Sequence, residues 1–280
     1  MAISNIYPCL WFNGNGEAAA KYYIETFKNG EITANNGMVI TFNLFGQQFM
    51  ALNGGPQFEI NSSISFFVLC NNEAEIQEFW KSLTDGGKVM MALDKYPWSE
   101  KYGWCQDKFG VSWQLMIGKM QDNTQKIVPS MMFTKSQNGK AEEALHHYTS
   151  IFINAKISEI DRYKKGDGDT VGNIKYALFQ LNGQYFTAME SSIMHHFSFD
   201  EGLSFVIPCE NQQEIDYYWN KLTESGEESQ CGWLKDKYGV SWQVIPSILG
   251  KLMSDPEKGQ RVIQAFMKMK KFDITTLENA

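Results

Sequence analysis

The chain has 280 residues, 43 % hydrophobic and 20 % charged, which is long enough for two ordinary domains and too apolar for a disordered chain. A net charge of −7 without a long basic run excludes nucleic acid as an expected partner. No apolar run approaches the roughly 18 residues of a membrane span, and the opening MAISNIYPCL carries no secretion-signal pattern, so a cytoplasmic protein is expected.

Residues 6–12, IYPCLWF, read as a first strand, followed by a turn over Asn13 to Gly16. Ala19, Tyr22, Tyr23 and Phe27 fall at helical spacing and predict a helix over 17–27. Two strands, 38–45 and 48–53, flank Gly46-Gln47 as a hairpin. A Gly/Pro-containing loop leads to a strand over 64–70. A helix over 72–83 then presents Ile76, Phe79, Trp80 and Leu83 on one face and stops at Gly86-Gly87. The half closes on Gly103 to Gln114, GWCQDKFGVSWQ, read as a hairpin whose Gly110 supplies the positive-φ turn position. Alternation places Trp113 on one face of its strand and Gln114 on the other.

The pattern then repeats. IVPSMMF at 127–133 echoes IYPCLWF, and Tyr148 and Phe152 match Tyr23 and Phe27. Gly183-Gln184 repeats Gly46-Gln47, and Ser204-Phe205 repeats Ser65-Phe66. Ile215, Tyr218, Trp219 and Leu222 repeat the second helix face. Gly232 to Gln243, GWLKDKYGVSWQ, matches the earlier hairpin at nine of twelve positions, 129 residues on. Two homologous domains are therefore expected, residues 1–120 and 126–280, joined by a polar linker near Gln121 to Gln125. Past Pro246 the second carries an extra helical tail. Its start is expected at Asp255-Pro256-Glu257, and Lys268, Lys270 and Lys271 are expected to close it. Strands with helices on one side predict an α+β layered fold.

Several chemical signals are present. Gly14, Gly16 and Ala19 give a G-x-G-x-x-A spacing between strand and helix, which in a doubly wound sheet lets a backbone approach a phosphate. Here a hairpin follows the helix and the second copy lacks the spacing, so a turn into a helix is expected instead. Five cysteines (Cys9, Cys70, Cys105, Cys209, Cys231) show no CxxC and are expected as reduced, mostly buried thiols. Glu142 with His146, and Glu143 with His147, are i, i+4 pairs on a helix, and a solvated face explains them. His195-His196 follow the strand ending at Glu190 and are placed on a loop at a rim. There is no HExxH and no GxSxG.

IYPCLWFNG, FGQQFMALNGGP, LNGQYFTAME, SFFVLC, SFVIPC and above all the GW..DK.GVSWQ hairpins resemble the PhnB-like family of the vicinal oxygen chelate superfamily, with glyoxalase I, bleomycin-resistance proteins and dioxygenases. The resemblance covers nearly all of both halves, and the tail resembles that family's C-terminal helix. It implies paired βαβββ modules around a ligand cavity, two tandem domains, and either a monomeric pseudo-dimer or a homodimer. Some relatives are labelled demethylubiquinone methyltransferases, a label the sequence does not support. Metal-dependent relatives carry four His, Glu or Gln ligands on cavity strands. The matching positions are Tyr7, Ala51, Ser63 and Gln114 in the first half, and Val128, Ala188, Gly202 and Gln243 in the second. Only the glutamines are usual ligands, with Glu190 as a possible second oxygen beside Gln243, so no metal and no other cofactor is expected. If Tyr7 faces inward, so do Cys9 and Trp11, and Ser112 and Met116 join Gln114 as Ser241 and Ile245 join Gln243. Tyr7, Trp11, Gln114, Glu190 and Gln243 are the candidate cavity residues for a small-molecule ligand, with plain core as the competing reading. Two functions stay open: a metal-free small-molecule binder, or a metal-dependent glyoxalase- or dioxygenase-type enzyme.

Overall fold

A computed structural model describes residues 5–118 and 125–280; most of the expected linker lies outside them. Four βαβββ modules follow one another. The first is β1 (Tyr7–Phe12), α1 (Gly16–Phe27), β2 (Gly30–Asn35), β3 (Val39–Leu44) and β4 (Gln47–Asn53). The second is β5 (Ile64–Cys70), α2 (Glu73–Thr84), β6 (Lys88–Tyr96), β7 (Ser99–Gln106) and β8 (Ser112–Ile117). The third is β9 (Ile127–Phe133), α3 (Ala141–Ile151), β10 (Lys156–Arg162), β11 (Ile174–Leu181) and β12 (Gln184–Glu190). The fourth is β13 (Leu203–Cys209), α4 (Gln212–Thr223), β14 (Glu227–Glu228), β15 (Trp233–Lys235) and β16 (Ser241–Pro246), followed by α5 (Leu249–Met253), α6 (Gly259–Phe266) and α7 (Ile274–Glu278).

The modules assemble across the halves. The first sheet has the order β14-β15-β16-β13-β1-β4-β3-β2, and the second β10-β11-β12-β9-β5-β8-β7-β6. Antiparallel seams β1–β13 and β5–β9 join the modules, so each eight-stranded sheet takes one module from each half. The Gly-Gln turns staple this exchange reciprocally. Ile6 N–H donates to Gln184 Oε1 at 2.6 Å, and Ile127 N–H donates to Gln47 Oε1 at 3.1 Å.

Helices cover one face of each sheet, and the largest core lies there. Trp113 and Trp242 are completely buried in it. α1 belongs to the first sheet, yet its Tyr23 and Phe27 meet Trp113 of the second at 5.3 and 5.1 Å. Reciprocally, Tyr148 and Phe152 of α3 meet Trp242 of the first sheet at 5.6 and 5.5 Å. Edge-to-face and tilted aromatic packing at these spacings adds roughly 0.5–1.5 kcal/mol per pair beyond burial.

The repeated hairpin is organised by its aspartate. Asp107 Oδ1 accepts Phe109 N–H at 2.8 Å and Val111 N–H at 3.1 Å, while Oδ2 accepts the indole N–H of Trp113 at 2.8 Å. Asp236 does the same with Tyr238, Val240 and Trp242, and takes a fourth bond from Tyr148 Oη at 2.7 Å. Gly110 and Gly239 have φ of +89° and +87°, as the turn requires. Most of the motif's identity is thus structural.

The tail differs from the sequence reading. α6 begins at Gly259 and not at Pro256, because Asp255 Oδ1 accepts the N–H groups of Glu257 and Lys258 and holds a turn ahead of the helix. Lys270 and Lys271 lie beyond the helix end and pair with Glu228 at 3.6 Å and Asp216 at 2.7 Å, so they fasten the tail to the fourth module.

Candidate functional site

The face of each sheet away from the helices carries the candidate residues, and register decides which of them meet. In the first sheet, Trp233 lies opposite Gln243, Gln243 beside Val206, and Val206 opposite Tyr7. The neighbouring row runs Lys235, Ser241, Ser204, Cys9 and Met50. Trp11 of β1 and Trp233 of β15 stand three strands apart, about 14 Å in a flat sheet. Their rings are nonetheless 5.8 Å apart, so the sheet curls and the indoles close over its inner face. Trp11 also meets Phe58 at 5.0 Å and donates its indole N–H to Gly55 O at 2.8 Å. Tyr7, Trp11 and Gln243 therefore share one cup although they come from opposite ends of the chain.

Gln114 sits in the other cup. Its row is Trp104, Gln114, Phe67 and Val128. The expectation of a separate ring within each half is corrected: the seams put Tyr7 with Gln243 and Val128 with Gln114. Ala51 and Ala188 are corrected as well. Cys9 pairs with Met50 and Ser130 with Thr187, so both alanines turn to the helix core, where they are fully buried. Ser63 and Gly202 precede their strands.

Glu190 does not face a cup. Its Oε1 accepts Ala141 N–H at the start of α3 at 2.9 Å, and its Oε2 accepts Ile174 N–H at 2.6 Å. A carboxylate there satisfies an otherwise orphaned donor and complements the helix dipole. Asn53 holds the matching place in the first module and accepts Gly16 N–H at 2.9 Å. This also accounts for Gly14-x-Gly16: Asn53 Oδ1 occupies the approach to the α1 N-terminus, 2.9 Å from where a Cβ on Gly16 would stand. The histidines do not converge either. Glu142 pairs with Arg162 at 2.6 Å and Glu143 with Lys237 at 2.9 Å, while His195 Nε2 bonds Ser191 Oγ at 2.9 Å.

The two cups differ in how their floor amides are satisfied, while each keeps one orphaned buried hydroxyl, Ser130 Oγ in the second and Ser241 Oγ in the first. In the second, Gln114 Oε1 accepts Tyr102 Oη at 2.6 Å, Gln114 Nε2 donates to Ser65 Oγ at 2.8 Å, and Trp104 Nε1 donates to Ser112 Oγ at 2.7 Å. In the first, Gln243 Nε2 donates to Ser204 Oγ at 2.9 Å, but Gln243 Oε1 accepts nothing among the described residues. Ser241, the counterpart of Ser112, is 1 % exposed and its hydroxyl has no partner there. An unpaired buried hydroxyl costs roughly 1–3 kcal/mol and is a place where a ligand gains. Cys9 lies in the same floor; burial pushes its thiol up to about 12, against smaller opposing contributions from Gln243 and Ser204, so it is no thiolate at neutral pH.

As a metal site the donor set does not fit. The inner-face positions on the four central strands are Tyr7 or Cys9, Met50 or Leu52, Ser204 or Val206, and Gln243 in the first cup. In the second they are Val128 or Ser130, Thr187 or Met189, Ser65 or Phe67, and Gln114. Neither set offers an imidazole or a carboxylate and Cys9 is the one thiol in either, whereas catalytic zinc takes three protein ligands drawn from His, Cys, Asp and Glu. No group of three or more His, Cys, Asp or Glu side chains able to hold an ion occurs among the described residues.

One protein family matches the chain twice, at residues 4–116 and 125–245, and is described as 3-demethylubiquinone-9 3-methyltransferase. None of the curated proteins matches. Among solved structures, the PhnB protein of Bacillus cereus, which bears the same description, is 35 % identical over 39 % of this chain and 96 % of its own, with a TM-score of 0.37. A Staphylococcus aureus protein is 32 % identical over 42 % of this chain and 100 % of its own, with a TM-score of 0.20. Glyoxalase I from Zea mays covers 86 % of this chain and 91 % of its own at 12 % identity, with a TM-score of 0.56, a likeness of fold.

Proposed function

The chain belongs to the family described as 3-demethylubiquinone-9 3-methyltransferase, matched through both halves, and from that membership we propose that it binds a small organic molecule in the first cup, without the metal of its superfamily. The observation that carries the reading is the floor amide: Gln243 Oε1 takes no bond among the described residues, where its counterpart Gln114 Oε1 accepts the Tyr102 phenol. Trp233 opposite Gln243, and Pro208 and Ile245 one inner-face step beyond it, supply apolar surface beside the amide, and a few polar groups in apolar surroundings is the usual plan of a ligand site. The methyl transfer in the family's description finds no support in the Gly14–Ala19 segment, because the α1 N-terminus is already bonded to Asn53.

A thermal-shift screen of metabolites and antibiotics tests the reading. A hit should stabilise the wild-type chain and lose that effect in Gln243→Ala, and zinc, nickel, manganese or iron should leave the melting temperature unmoved. A shift of several degrees with one of these metals, or a stoichiometric metal in the purified protein, would overturn the metal-free reading.

A further inference from the structure

The second cup contains its own occupant. Tyr102 is 5 % exposed, and its phenol donates to Gln114 Oε1 at 2.6 Å. The ring meets Tyr96 at 5.6 Å, Trp98 at 5.7 Å and Phe67 at 6.4 Å, and lies opposite Met116. A neutral aromatic hydroxyl thus fills the place above the floor amide.

In the first cup that occupant is missing for two reasons. The residue matching Tyr102 at the 129-residue offset is Cys231, which has no phenol. The backbone at that point also turns its N–H groups to the tail, Cys231 N–H donating to Met269 O at 2.7 Å and Gly232 N–H to Lys270 O at 2.8 Å, while Gly232 O still accepts Val244 N–H of β16 at 2.8 Å. β15 consequently begins only at Trp233, where β7 runs from Ser99. The side chains around the vacated place are smaller: Val206 stands for Phe67, Pro208 for Leu69 and Ile245 for Met116. Pro208 and Ile245 are only half-buried. The unused atom of Gln243 is an acceptor, so its partner must be a donor. The charged group nearest in register, Lys235 opposite Ser241, is already paired with Glu201 at 2.9 Å, so an anionic ligand would be desolvated without a counter-charge.

Resting on the reading of the first cup as a binding site, we propose that its ligand is a neutral phenol: the ring lies on Pro208 and Ile245 and the O–H donates to Gln243 Oε1, as Tyr102 donates to Gln114 in the second cup. Specificity against the same ring without a hydroxyl comes from the floor amide, which is left unpaired by such an analogue.

Isothermal titration of the full chain with p-cresol and with toluene tests this. The wild-type chain should bind one p-cresol at least tenfold more tightly than toluene, and Gln243→Met should abolish the difference. Equal affinity for the two, or no p-cresol binding, overturns the proposal. Tyr102→Ala vacates the second cup and should add a second p-cresol site that disappears in Tyr102→Ala/Gln114→Met; an added site that survives the second substitution contradicts the template. If Tyr102→Ala does not fold, the wild-type comparison with Gln243→Met still decides. A screen hit that needs Gln243 but carries no phenol would sink the phenol assignment while leaving the first cup as the binding site.

Discussion

Asp236 is a carboxyl held away from water by Trp242, Tyr148 and the turn it clasps. Burial raises it to about 6, and the four donors around it only partly offset that cost. Because the folded value lies above the unfolded one, the contribution to stability is full below about pH 4 and is lost as pH rises through about 6. Two units correspond to about 3 kcal/mol. Urea unfolding across pH 4 to 7 should show this fall in the wild-type chain and a flatter profile in Asp236→Asn; parallel profiles would contradict the assignment. The two floor amides should also behave differently. Gln114→Ala strands the buried Tyr102 hydroxyl and should cost about 1–3 kcal/mol, whereas Gln243→Ala should cost about 1 kcal/mol or less, because its Oε1 holds nothing. Equal losses would mean that Gln243 is as structural as its counterpart. The opposed faces of Trp242 and Gln243 are legible in the sequence, since alternation fixes them wherever a strand is regular. The role of Glu190 is not, because parity along β12 depends on the register with β9, which only the assembled sheet sets.

The elements differ most where the repeat was hardest to read. The edge strands β2, β6, β10 and β14 escape a sequence reading that depends on alternation: β2 has a single half-buried position and β14 has two exposed residues. β6 is nine residues long and β14 only two, and the tail stands at the shortened edge. Phe272, 1 % exposed, packs on Gly232, whose φ of +81° leaves no room for a Cβ: the ring would lie 2.6 Å from it. Gln212 joins the same seam, donating to Phe272 O at 3.0 Å and accepting Ile274 N–H at 2.9 Å. Phe272→Ala should therefore cost about 3–5 kcal/mol in urea unfolding. If instead the tail is only an appendage, the variant should match the wild type. A helix in the tail is legible in the sequence, but the break at Asp255 depends on side-chain bonds that spacing does not reveal.

At the scale of the molecule, the exchange of modules decides everything about the cups. Internal duplication is plain in the sequence. Which module pairs with which is not, because modules with the same residues at matching places could seam within a half or across halves, and only the β1–β13 and β5–β9 registers choose. No helix among the described residues is long and apolar enough to cross a membrane. A fragment of residues 1–120 exposes both β1 and β5 as open edges, so it should self-associate by joining them between copies. Analytical ultracentrifugation should find a dimer, and a stable folded monomer would contradict the cross-half assembly. The central claim, that the floor amide of the first cup is free to take a donor while that of the second is held by its own tyrosine, is tested most directly by the side-chain amide resonances of the two glutamines in ¹⁵N-labelled wild-type protein titrated with p-cresol. The Gln243 amide should shift with saturation while that of Gln114 stays in place; a shift of Gln114 alone, or of neither, would contradict the account.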